Sequence, residues 1–175
     1  TGLLASLALL QVSIGGPVLH VRLNRQAKRN ALSDPLIQQL HTVFINLPEG
    51  VRAAMISGDG SHFCAGGNLQ RLLSNRQQPA GVQAQSIESL HNWIETIRAF
   101  PKPVIAAVEG ACAGAGFSLA LACDLLVAAQ DSVFVMAYSN VGLSPDGGAS
   151  WSMVRALPRA TAMQLLLCGD RIDAG

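Results

Sequence analysis

Apolar and polar residues alternate from Val18 to Leu23 with the period of a strand. Asn24 to Ala31 is polar and basic and reads as a loop. Ser33 or Asp34 can cap a helix that carries Pro35 in its first turn. Leu36, Leu40, Val43 and Leu47 then fall on one helical face. Arg52 to Ser57 predicts a short apolar strand, closed by the turn Gly58-Asp59-Gly60. A small-residue loop, Cys64 to Asn68, follows, and Gln70 to Ala84, polar and broken by Pro79 and Gly81, reads as a mobile loop. Ile87 to Phe100 predicts a helix with Leu90, Trp93, Ile94 and Ile97 inward, and Pro103 to Val108 a buried strand. Gly110 to Gly116 is a glycine-alanine turn that leads into a helix over Phe117 to Ala122. Strands are expected at Leu125 to Ala129 and Val133 to Met136. Asp146-Gly147-Gly148 opens a helix through Val154, and Arg159 to Leu167 forms the last. Strands alternating with helices predict an α/β fold with parallel pairing. No repeat or boundary interrupts the pattern, so residues 1–175 read as a single domain.

Composition narrows the function. Half of the 175 residues are hydrophobic and 13% are charged, which excludes a disordered chain and suffices for a core without disulfides. A net charge of +1 offers no basic surface, so no nucleic-acid partner is expected. Cys64, Cys112, Cys123 and Cys168 form no C-x-x-C pair, and no histidine stands at a zinc-ligand spacing from them. No metal is expected, and the free thiols suggest a reducing, cytoplasmic compartment. The apolar run Leu3 to Leu10 lacks a basic flank and is shorter than the roughly 20 residues a bilayer requires. It reads as a lead-in to the first strand rather than an export signal, and no membrane partner is expected. Both ends read as cut, at Thr1 and at Ile172 to Gly175.

Candidate chemistry concentrates in two turns, Ala65-Gly66-Gly67 and Ala113-Gly114-Ala115-Gly116. Small side chains let a ligand approach the main chain, and free N–H groups at a helix start favour negative charge. Two such amides aimed at one point would make an oxyanion hole. Tight turns that merely need glycine explain the pattern equally well, and both readings stand on the residues alone.

Five segments in order carry a resemblance: Lys28-Arg29-Asn30-Ala31-Leu32, Phe63 to Leu69, Lys102 to Gly110, Ala113 to Gly116, and Gly142 to Gly148. Together they resemble the enoyl-CoA hydratase/isomerase (crotonase) superfamily, from about Leu10 to the end. The resemblance implies a spiral of βαβ units with a nearly perpendicular second sheet, and a C-terminal helical segment that would lie beyond Gly175. It implies an acyl-CoA thioester as substrate, no separate cofactor because coenzyme A is part of that substrate, and a homo-oligomer, a trimer or a pair of trimers. The amides of Gly67 and Ala115 would hold the thioester oxygen as an enolate forms. Ala65, Asn68 and Leu69 would line the adenine and pantetheine channel, with Lys28 near the CoA phosphates. The family usually carries an acidic residue where Asn68 stands.

The same resemblance separates branches of the family. Hydratases hold water with two glutamates, and the matching positions here are Ser118 and Tyr138. Neither is a carboxylate, so efficient hydration is not expected; both residues are expected beside the acyl group. Asp146 remains, and on the residues alone it reads as a helix N-cap. Enoyl-CoA isomerases, including those of phenylacetate-type degradation, carry an acidic residue in this Pro-Asp-x-Gly setting and use it to move a proton. Aryl-CoA dehalogenases place a nucleophilic aspartate in the same segment. The leading expectation is an enoyl-CoA isomerase with Asp146 as base. The alternatives are an unusual hydratase or hydrolase, and a non-catalytic acyl-CoA-binding member. A serine hydrolase at Gly116-Phe117-Ser118-Leu119-Ala120 has little support, since no triad histidine is evident. His20, His41, His62 and His91 read as surface or core residues, and Trp93 and Trp151 as core or interface anchors.

Overall fold

The computed structural model describes residues 8–75 and 77–175. Most of the apolar run Leu3 to Leu10 therefore lies outside the described residues. Two sheets organise the chain. The larger contains β1 (Leu10–Gly15), β2 (Val18–Leu23), β3 (Ala53–Gly58), β5 (Val104–Val108) and β7 (Leu125–Ala128), in the order β1-β2-β3-β5-β7. β1 and β2 form an antiparallel hairpin around the Gly16-Pro17 turn, and the other neighbours run parallel. Parallel pairing forces a crossover between successive strands. These crossovers carry α1 (Asp34–Ile45) and α3 (Ala80–Arg98) to the sheet. The smaller sheet holds β4 (His62–Cys64), β6 (Ala111–Ala113), β8 (Val133–Val135) and β9 (Arg171–Asp173), in that order.

The period-2 pattern read from the sequence sets the buried face of the larger sheet. Leu19, Val21 and Leu23 alternate with half-buried or exposed neighbours, as do Val104, Ala106 and Val108. Onto the core pack Leu36, Ile37, Leu40, Val43 and Phe44 of α1, and Leu90, Trp93, Ile94 and Ile97 of α3. Phe44 sits at the joint, its ring edge-on to both Trp93 and Phe100 with centroids 4.9 Å apart in each pair. Helix α4 (Ala115–Ala122) is apolar all round and buried at every position but Leu121, as expected of a helix enclosed by the fold. It packs against β4, β6, α3 and α5 (Ala149–Ala156), and so becomes the rigid floor on which the second small-residue turn rests.

Several sequence expectations need correction. Gln70 to Ala84 is not one mobile loop: α2 (Leu69–Asn75) occupies its start, and α3 already begins at Ala80. The leucines of α2, Leu69, Leu72 and Leu73, keep helical spacing, but seven residues are too few for a period to stand out and none of them is buried, so α2 is fixed by local bonds instead. The Asn68 carboxamide oxygen accepts from the N–H groups of Gln70 and Arg71 at 3.1 and 3.3 Å, while Arg71 pairs with Asp34 at the start of α1. Pro79 stands at the N-cap of α3, where its missing N–H costs nothing. Leu47 lies beyond the end of α1, although it still packs on the core. The three-residue strands β4, β6 and β9 are too short to show a period.

Candidate active site

The two small-residue turns lie more than forty residues apart in sequence and meet in space. A Cβ built on Gly66 would stand 2.8 Å from the Ala113 carbonyl oxygen and 3.4 Å from the Ala115 nitrogen. Gly66 also has φ of +95°, so any side chain there would be strained as well as obstructed. The pairing of β4 with β6 puts both turns at the same end of the smaller sheet, since each follows its strand directly. Gly116 locks the approach, because its Cβ would fall 2.5 Å from the Cys64 carbonyl oxygen. Gly116→Ala is therefore expected to cost about 1–3 kcal/mol through overpacking against main chain, measured as a lower midpoint of chemical denaturation.

Both turns leave an amide free. Leu32 and Gly67 form an isolated parallel bridge, but its bonds run from Leu32 N to Gly66 O (2.8 Å) and from Asn68 N to Leu32 O (3.2 Å). Ala115 opens α4, so its N–H has no carbonyl one turn back. Among the described residues neither Gly67 N–H nor Ala115 N–H has an acceptor. Two unpaired donors, one at a helix N-terminus, can receive an oxygen that gains negative charge.

Asp146 enters from the loop before α5. It is not the N-cap that its sequence setting suggested. Gly148 occupies the N-cap, and no side chain caps that helix. The Asp146 main-chain carbonyl accepts from Ala149 N at 3.1 Å and from the Ser118 hydroxyl at 3.1 Å. Its carboxylate oxygen Oδ1 accepts the Tyr138 hydroxyl. Ser118 is 0% exposed and Tyr138 7%, and their hydroxyl oxygens are 3.4 Å apart. Burial above all, and then the Asp146 carboxylate, push the Tyr138 phenol far up, so it stays neutral and donates. Asp146, Ser118 and Tyr138 are thus one cluster. Ser118 lies on the same helix as the Ala115 amide, three residues on, and the Tyr138 ring approaches Gly114, whose Cβ would be 3.9 Å from Cε2.

The remaining expected residues divide. The Lys28 loop runs beside the first turn, with Ala65 N donating to Arg29 O at 2.9 Å. Lys28 itself is exposed, Ala65 half-buried and Leu69 exposed. Asn68 adjoins them, but its side chain caps α2. Sequence reading missed what pins this loop. Asn30 is 0% exposed and uses both ends of its amide, donating to Asp59 O and His62 O and accepting from Arg25 N. Its position inside the quoted Lys28 to Leu32 segment was the available signal. Leu72 reaches within 3.6 Å of a Cβ built on Gly67, and the core residue Ile94 within 3.6 Å of one built on Gly147. Burial pushes the Cys64 thiol up to about 11, so it remains protonated beside the turn. Ser118 bonds carbonyls and a phenol, not a histidine, and has no activating base for hydrolase chemistry. Trp93 is core, whereas Trp151 is 46% exposed and lies between the guanidinium groups of Arg98 and Arg155 at 3.7 and 3.8 Å. Among the described residues no group of three or more His, Cys, Asp or Glu could hold a metal ion, and no helix is long and apolar enough to cross a membrane.

Comparison with known proteins places the fold in a family. The chain is 37% identical over 160 residues to the 1,2-epoxyphenylacetyl-CoA isomerase of Escherichia coli (strain K12), covering 90% of this chain and 61% of that protein. The chain therefore spans about three fifths of that relative's length. The crystal structure of an enoyl-CoA hydratase from Polaromonas sp. JS666 superposes with a TM-score of 0.91 at 55% identity, covering 94% of this chain and 65% of that one. A Thermobifida fusca YX protein solved in complex with acetoacetyl-CoA superposes with a TM-score of 0.87 at 30% identity, over 99% of this chain and 71% of that one. Residues 13–175 match the enoyl-CoA hydratase/isomerase family, and the chain belongs to that family.

Proposed function

We propose that this chain isomerises the double bond of an enoyl-CoA thioester, with Asp146 as the base and the amides of Gly67 and Ala115 as the oxyanion hole. The observation that carries the reading is the convergence of two acceptor-free amides with a cluster whose sole carboxylate is Asp146. Removing a proton alpha to a thioester places negative charge on the carbonyl oxygen, and preorganised donors stabilise that charge. Asp146 takes the proton from one carbon and returns it to another. The positions where hydratases of the family carry glutamates hold Ser118 and Tyr138, which bond to Asp146 rather than supplying carboxylates. The thioester needs no separate cofactor for this step. Lys28, Ala65 and Leu69 are assigned to the CoA arm, and Leu72 and Ile94 to the acyl side.

The test is product analysis with 3-enoyl-, 2-enoyl- and aryl-CoA esters. Interconversion of 3-enoyl and 2-enoyl esters is expected. Accumulation of a 3-hydroxyacyl-CoA instead would make the chain a hydratase and remove Asp146 from its assigned role.

A homo-oligomer, a trimer or hexamer, is part of the same proposal. Its support is apolar surface that a monomer leaves in water. Leu125 and Val127 of edge strand β7 are 57% and 62% exposed, and Trp151, Val154 and Leu167 are exposed on α5 and α6 (Arg159–Cys168). Light scattering is expected to give a mass of at least three chains. A stable monomer at high concentration contradicts it.

A further inference from the structure

We propose that Tyr138 is a positioning residue that holds Asp146 at a set distance from the oxyanion turn and leaves Oδ2 as the oxygen that moves the proton. The inference rests on the proposed role of Asp146 and adds a residue to it. Asp146 rides on a loop whose residues Val141 to Ser144 are exposed. Its main chain is tied by Ser118 and Ala149, but both bonds end on the carbonyl. The Tyr138 hydroxyl is the one group among the described residues that holds the carboxylate itself. Without it the side chain would be free to turn about both of its torsions.

Tyr138 is in turn well anchored. It is buried, and its carbonyl accepts from Val141 N at 3.1 Å and Leu143 N at 3.0 Å, fixing the turn that follows β8. The ring edge meets the Gly114 side of the second turn, and the hydroxyl meets Asp146. The phenol therefore spans the gap between the amide that would hold the oxygen and the carboxylate that would move the proton. Around its hydroxyl stand Asp146, from the loop before α5, and Ser118, from α4; no lysine, arginine or histidine bears on it among the described residues. Tyr138 keeps its own proton throughout, because burial and the adjacent carboxylate oppose its ionisation. One proton leaves the substrate carbon for Oδ2 and returns from Oδ2 to another carbon, and nothing else is transferred.

Tyr138→Phe keeps the ring as spacer and removes the tie. The variant is expected to lose about 10- to 100-fold in kcat with KM and the denaturation midpoint little changed. A role in packing alone would instead lower the midpoint and leave turnover per folded molecule in place. The sequence contains a single tyrosine, so replacing tyrosine by 3-fluorotyrosine during expression labels this site alone. Its fluorine resonance should move in Asp146→Asn. Full turnover per folded molecule in Tyr138→Phe, or a fluorine signal indifferent to Asp146→Asn, overturns the inference. If Asp146→Asn loses turnover while Tyr138→Phe keeps its rate, this inference alone falls. If Asp146→Asn keeps full turnover, the assignment of the base falls and takes this one with it.

Discussion

Asp146→Asn is expected to lower isomerase turnover by about 10²- to 10⁴-fold, the range typical of a positioned acid–base group, while affinity for CoA esters stays near normal. Asparagine preserves size and can still accept the Tyr138 hydroxyl, but it cannot take a proton at neutral pH. Stability should change little. The Asp146 side chain caps no helix, and the bonds that hold its loop end on its main-chain carbonyl, which the substitution leaves in place. Turnover and the denaturation midpoint, measured on the same preparation, separate the two roles. Lost stability with full turnover per folded molecule would make Asp146 structural and reopen the reading of the chain as a binding member of the family.

Ala115→Pro probes the other half of the site. It is expected to reduce kcat by about 10²- to 10³-fold, the cost of one missing oxyanion donor. Ala115 is the first residue of α4, where proline is tolerated because the N–H has no helical partner. The substitution thus deletes a donor that the fold does not use. Circular dichroism should show an intact fold, and affinity for the CoA ester should fall less than kcat. A folded variant with full activity contradicts the placement of the oxyanion at this amide.

The parts legible in the sequence are those with strong periodicity. Leu36, Leu40 and Val43 marked α1, Leu90 to Ile97 marked the buried half of α3, and Val104 to Val108 read directly as a buried strand. Of the smaller sheet only Val133–Val135 was legible; His62–Cys64, Ala111–Ala113 and Arg171–Asp173 are three residues each and carry no apolar run that marks them as strands. Nor was α2 legible, since it depends on the Asn68 cap and the Arg71–Asp34 pair rather than on a buried face. At the site, glycine and alanine in two turns signalled free main-chain amides. Their convergence is a tertiary fact, set by the β4–β6 pairing and the absence of side chains at Gly66 and Gly116. Local pattern could not separate a capping Asp146 from a functional one. The contacts of its side chain, with Tyr138 rather than with α5, set the capping reading aside.

The central claim is that this chain forms an enolate from a bound CoA thioester. The most direct measurement is incubation of the unmodified chain with a 3-enoyl-CoA in deuterated water, followed by mass and NMR analysis of substrate and product. The account predicts 2-enoyl-CoA, with deuterium at the carbons flanking the migrating double bond to the extent that the proton held on Asp146 exchanges with solvent before it is returned, and no hydrated product. A 3-enoyl-CoA that binds yet is recovered neither isomerised nor labelled would contradict it.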